Sequence, residues 1–125
     1  MSVNGLPPYD PNNIFARILR GEIPCKRVLE TEHALAFHDI APQAPTHILV
    51  IPKGPYVSAA DFHAQASDAE IAGFWRAVRE VGAPLEGAGY RLLANMGHDS
   101  GQEVPHFHVH VLGGRPLGPM LTRPT

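Results

Sequence analysis

His106-Phe107-His108-Val109-His110-Val111-Leu112 sets three imidazoles on alternate positions of an otherwise apolar run. Successive side chains of a β-strand leave opposite faces, so His106, His108 and His110 share one face while Phe107, Val109 and Val111 share the other. The apolar face can seal a core. Packing alone gives no reason for three polar rings on the opposite face. Imidazole titrates near neutrality and serves as nucleophile, acid, base or metal ligand, so this strand is expected to carry the chemistry.

The segment leading into it, Asn95-Met96-Gly97-His98-Asp99-Ser100-Gly101-Gln102-Glu103, is polar and holds two glycines. Gly97 and Gly101 allow tight turns that expose backbone N–H groups, the usual way of building an oxyanion-binding concavity. An anion held there sits beside the imidazoles. That juxtaposition suits phosphoryl or nucleotidyl transfer, in which one histidine attacks phosphorus and the others hold it and neutralise charge. A metal centre fits less well. At about 3.4 Å per residue, His106 and His108 start roughly 7 Å apart and His106 and His110 roughly 14 Å, so two neighbours can converge on one ion but three cannot. No metal and no cofactor are expected.

Upstream, Asn12-Asn13 offers N-cap oxygens to a short helix over 14–20, closed by Gly21. Val28-Leu29 and Ala34 to His38 read as a hairpin turning near Thr31-Glu32, and His47 to Ile51 as a third strand between Pro45 and Pro52. Ser67 with Glu70 forms a capping box for a long helix from about Asp68 to Val81, whose apolar stripe is Ile71, Phe74, Trp75, Val78 and Val81. Tyr90 to Ala94 and His106 to Leu112 complete five strands. Strands in runs, interrupted by one short and one long helix, predict an α+β domain with a five-stranded, mainly antiparallel sheet. Residues 1–11, polar with Pro7, Pro8 and Pro11, read as a flexible leader; 12–125 read as a single domain with a divergent tail from about 116.

The 125 residues suit one domain, and 44% hydrophobic with 18% charged residues suffices for an ordinary core. A net charge of −2 favours neither a nucleic-acid duplex nor an anionic membrane as partner. Cys25 alone excludes an intrachain disulfide and a multi-thiolate zinc site. No apolar run approaches the roughly 20 residues that cross a bilayer, and the N-terminus lacks the character of a signal peptide. A cytoplasmic location is the expectation.

The histidine run is similar to the signature of the histidine triad (HIT) nucleotide-binding proteins, His-φ-His-φ-His-φ-φ with φ apolar. Further segments resemble the HINT branch of that family. These are Ile14-Phe15 with Ile18, the stretch Phe37-His38-Asp39-Ile40-Ala41-Pro42-Gln43-Ala44-Pro45-Thr46-His47, Val50-Ile51-Pro52-Lys53, Asn95 with Gly97, and Leu112-Gly113-Gly114-Arg115. The likeness spans about residues 12 to 116. It implies a homodimer that binds purine nucleoside monophosphates and hydrolyses their phosphoramidates and acyl-phosphates. It further implies His108 as nucleophile, His110 as phosphate contact, and His106 and His47 as orienting partners. Asn95 and the backbone of Gly101, Gln102 and Glu103 would complete the anion site. Asp39 would bind the ribose hydroxyls, and Ile14, Phe15, Ile18, Phe37 and Ile40 the base.

The same residues admit plainer readings: Asp39 as a turn cap, the α-helical apolar residues as core, and His47 as a satisfied buried histidine. Two departures from the branch stand out. Glu103 occupies the position of a serine near the leaving group, and is expected to turn outward or meet a cationic amine. The tail Pro116-Leu117-Gly118-Pro119-Met120-Leu121 lacks a tryptophan often found there. Alternatives to a phosphoramidase are a non-catalytic nucleotide-binding module, or a dinucleoside polyphosphate hydrolase or nucleotidyl transferase of the same superfamily.

Overall fold

In the computed structural model, which describes residues 2–122, the C-terminal part of the histidine run lies inside a five-stranded sheet. The strands are β1 (Arg27–Glu30), β2 (Ala34–His38), β3 (Thr46–Pro52), β4 (Tyr90–Leu93) and β5 (Val109–Gly113), ordered β1-β2-β3-β5-β4. Every neighbouring pair is antiparallel, and β5 sits opposite β3 with Leu49 facing His110 and Val50 facing Val109. The class is α+β, as the order of elements predicts.

The ladder stops at Val109, short of the expected start at His106. Continuing the register would bring Phe107 opposite Pro52, which has no N–H to donate. Pro52 O instead accepts from the ring of His106 at 2.8 Å, and Phe107 N–H donates to Tyr56 O at 2.8 Å. The side-chain alternation nonetheless survives. Phe107, Val109 and Val111 enter one buried cluster with Phe62, Phe74, Val78 and Val81, while the three imidazoles lie on the other side of the sheet.

Both sheet faces are covered, which is why β2 and β3 are buried almost throughout. On the first face packs helix α3 (Asp68–Gly82), started by the Ser67–Glu70 capping box and burying Phe74, Ala77, Val78 and Val81. The second face carries α1 (Ile14–Leu19), capped by Asn13, whose side chain accepts from Ala16 N–H at 2.9 Å. Phe15 and Ile18 of α1 pack with Leu35, Phe37, Leu49 and Ile51.

Two features depart from the sequence reading. A third helix, α2 (Ala59–Gln65), stands beside the one short and one long helix expected; Ser58 and Asp61 form its capping box. Its fully buried Phe62 stacks on Phe107, ring centroids 4.9 Å apart. The leader also differs, since it lies against the domain. Val3 N–H donates to Gln102 O at 2.8 Å, and Ser58 Oγ donates to Gly5 O at 2.7 Å. Met1 of the leader and residues 123–125 of the tail lie outside the described residues.

Candidate active site

The histidine face of the sheet opens into two adjoining cavities of about 310 and 1070 Å³. Phe15, Asp39, Leu49, Glu103 and Val104 line both, so the two are contiguous. The smaller holds His108, His110, Asn95 and Gly101. The larger is mostly apolar, walled by Phe15, Ile18, Phe37 and Leu49, with Ile14 and the exposed Ile40 at its mouth.

Hydrogen bonds fix the proton positions on each imidazole. His108 Nδ1 lies 2.7 Å from His106 O. A carbonyl can only accept, so Nδ1 carries the proton and Nε2 keeps its lone pair. His106 Nε2 faces Pro52 O in the same way, which leaves its Nδ1 to accept from the Tyr9 hydroxyl at 2.6 Å. His47 Nδ1 accepts from Gln43 N–H at 3.0 Å, so His47 carries its proton on Nε2. That N–H donates to His110 Nδ1 at 2.8 Å, with Asp39 Oδ2 3.4 Å away. The His110 proton therefore sits on Nε2, which has no partner among the described residues.

Burial disfavours the charged form of the three triad rings. Desolvation pushes His106 down to about 4 despite the hydrogen bond to Pro52, and pushes His110 to about 4 with help from neighbouring His108 and His47. His108 is lowered chiefly by the same loss of water. Phe15 presses edge-on against the His108 ring at 5.0 Å. A neutral imidazole with one nitrogen held by a carbonyl presents the other as a nucleophile at neutral pH.

Among the remaining expected residues, Asn95 lines the smaller cavity and its side chain makes no hydrogen bond within the described residues. Asp39 stands where the cavities meet; its Oδ1 accepts from Ala41 N–H at 2.8 Å, so the turn-cap reading is correct for that oxygen. Glu103 is exposed at the rim of both cavities. Gln102 requires correction. Its side chain is buried, accepting from Gly97 N–H and donating to Val57 O and Val104 O, so it braces the loop from behind. Its own N–H donates to Gly97 O, and Gly101 N–H donates to His98 O. Of the three loop amides expected to hold an anion, only Glu103 N–H has no partner among the described residues. Gly97 and Gly101, at φ +80° and +82°, supply the left-handed turns that the loop demands.

The smaller cavity contains two carboxylates, Asp39 and Glu103, and neither lysine nor arginine among its lining residues. Donor atoms of Asp39, His47 and His110 lie within 4.8 Å of one another. The His47 N–H donated to His110 Nδ1 brings the two rings together, and Asp39 Oδ2 stands 3.4 Å from the same nitrogen. Sequence reasoning missed Tyr9, Leu49 and Val104. Leu49 had a signal, because strand alternation from Ile48 places it on the histidine side; Tyr9 had none, lying in a proline-rich stretch far from the triad.

The HIT domain family matches residues 20–117. The chain is 71% identical over 117 residues to an uncharacterised 13.2 kDa HIT-like protein of Azospirillum brasilense, covering 92% of this chain and 96% of that protein. It is 47% identical over 111 residues to the purine nucleoside phosphoramidase of Escherichia coli K12, covering 86% and 92%. A histidine triad protein from Clostridium difficile superposes with a TM-score of 0.78 at 36% identity, covering 90% of this chain and 98% of that one.

Proposed function

Since this chain belongs to the HIT domain family, we propose that it is a nucleotide-binding hydrolase that cleaves purine nucleoside 5′-phosphoramidates and acyl-adenylates through a nucleotidyl–His108 intermediate. One observation carries the reading: His108 holds its Nδ1–H on a backbone carbonyl and offers a bare Nε2 at a cavity lined by His110 and Asn95. The relative in Escherichia coli named for phosphoramidase activity supports the substrate class.

The purine occupies the apolar compartment between Phe15, Ile18 and Phe37, with Ile14 and Ile40 at its entrance. Asp39, at the junction, accepts from the ribose hydroxyls. Asn95, His110 Nε2–H and Glu103 N–H hold the phosphoryl oxygens. His108 Nε2 attacks the α-phosphorus in line, forming a P–N bond as the bond to the amine or acyl oxygen breaks. The positive charge that develops on the ring is steadied by His106 O. The departing amine takes up a proton from solvent at the cavity mouth, and an acyl group leaves as its carboxylate. Water then attacks the nucleotidyl-histidine and gives up a proton to solvent, releasing the monophosphate and restoring the lone pair. His47, its own proton placed by Gln43 N–H, holds His110 in the required tautomer.

The functional unit in this reading is a homodimer, pairing through α3 and the edge strand β4, where Leu92 is 44% exposed. Rapid quenching of a single turnover on an adenosine phosphoramidate, followed by peptide mass spectrometry, tests the chemistry. A nucleotide adduct on His108 is expected. An adduct on a different residue, or turnover that survives His108→Ala, overturns it.

A further inference from the structure

The run that carries the nucleophile is held less by the sheet than by one imidazole. β5 begins only at Val109, so the peptide between His106 and Phe107 lies outside the ladder. Yet His106 O is the acceptor that fixes the proton of His108. Phe107 N–H on Tyr56 O is one restraint on this peptide; the fully buried His106 ring is another, tied to Pro52 O through Nε2. The remaining ring nitrogen, Nδ1, is satisfied by Tyr9, whose ring also meets it edge-on at 5.6 Å. A buried nitrogen lone pair without a donor is unfavourable, so the ring orientation depends on that hydroxyl.

Tyr9 arrives on a segment fastened elsewhere. Val3 binds Gln102 O, and Gly5 O accepts from the buried Ser58 hydroxyl. Gly5 has φ +73° and lies so close to the glycine loop that a Cβ there would stand 2.9 Å from both Gln102 Oε1 and Gly97 N. Those two atoms are themselves hydrogen-bonded to each other at 3.0 Å. The segment therefore touches the loop on one side of the nucleophile and the anchoring ring on the other.

We propose that residues 2–9 form a strap whose Tyr9 hydroxyl positions His106 and, through the His106 carbonyl, the His108 nucleophile. Tyr9 is a positioning residue: it lines neither cavity and touches no reacting atom. The proposal rests on His108 as nucleophile for its kinetic consequence, but its structural consequence is independent of any substrate. Burial raises the Tyr9 hydroxyl above its ordinary value, which keeps it a donor across the working range.

Tyr9→Phe retains the ring and removes only the donor. With an adenosine phosphoramidate, kcat should fall about tenfold with KM unchanged, since the residues proposed to bind base and ribose are untouched. In protein labelled with ¹⁵N-histidine, the His106 Nδ1 resonance should move and the His108 Nδ1–H signal should shift and exchange faster with water. Gly5→Ala, which disturbs the strap at a distance from the rings, should produce the same pattern at smaller amplitude. Wild-type kcat with unmoved His108 signals in Tyr9→Phe overturns the strap, as does a change confined to KM. If the wild-type protein turns over no phosphoramidate, the proposed reaction fails separately, and the histidine resonances alone decide: displacement supports the strap and its absence overturns it.

Discussion

His108 is prepared by a single hydrogen bond and a dry surrounding, and both have a consequence in pH. An exposed imidazole, with a value of about 6.5, is mostly protonated at pH 5.5 and loses its nucleophilic lone pair. Desolvation lowers His108 from that value, so the lone pair persists to greater acidity. The acid limb of kcat/KM for phosphoramidate hydrolysis should accordingly lie below the ordinary histidine range; a limb at about 6.5 would contradict the burial. At this scale the sequence was informative about residue types on a common face, because period-two spacing is local. It was silent about Tyr9, and the backbone amides of Gly101 and Gln102 that it offered to an anion are taken within their own loop by His98 O and Gly97 O. Where the Gln102 side chain goes depends on what lies behind the loop, here Gly97 and Val57, and the second is 45 positions away in the chain.

The histidine run divides its labour by face, and substitutions on the two faces should behave differently. Phe107 is 1% exposed and packed among Phe62, Phe74 and His63. Phe107→Ala should lower stability by about 3–5 kcal/mol through lost burial and the cavity left behind. His108→Ala, on the opposite side, should change the unfolding midpoint far less while abolishing turnover. Urea denaturation of both variants checks this, and equal losses would argue against the segregation. Helix α3 was legible because its capping box and its stripe repeat over four turns. Helix α2 was not, although Ser58 and Asp61 form the same kind of box. Seven residues with one fully buried anchor, Phe62, give periodicity too little to act on. The strand start was placed three residues early because alternation persists where hydrogen bonding stops, and only the register against Pro52 ends the ladder.

Across the whole molecule, neutral rings held out of water make folding sensitive to acid. His106 and His110 are lowered to about 4 in the folded chain, against about 6.5 when unfolded. Below pH 6.5 the unfolded state therefore binds protons that the folded state refuses, and stability declines until about pH 4, where the difference is complete. For His106 the loss is on the order of 3 kcal/mol, and for the less buried His110 it is smaller. Denaturant midpoints at pH 7 and pH 4.5 should differ accordingly; identical midpoints would contradict the burial of these rings. The α+β class and the five strands could be read from the order of elements, whereas the docking of the N-terminal segment could not. Its contacts with Ser58, Gln102 and His106 join parts of the chain about 50 to 100 residues apart. The smaller cavity's mixture of two carboxylates and no lysine or arginine also bears on how a charged ligand would be held. In the proposed reading the phosphoryl oxygens meet only neutral donors, so raising the salt concentration should leave the affinity for a nucleoside monophosphate nearly unchanged.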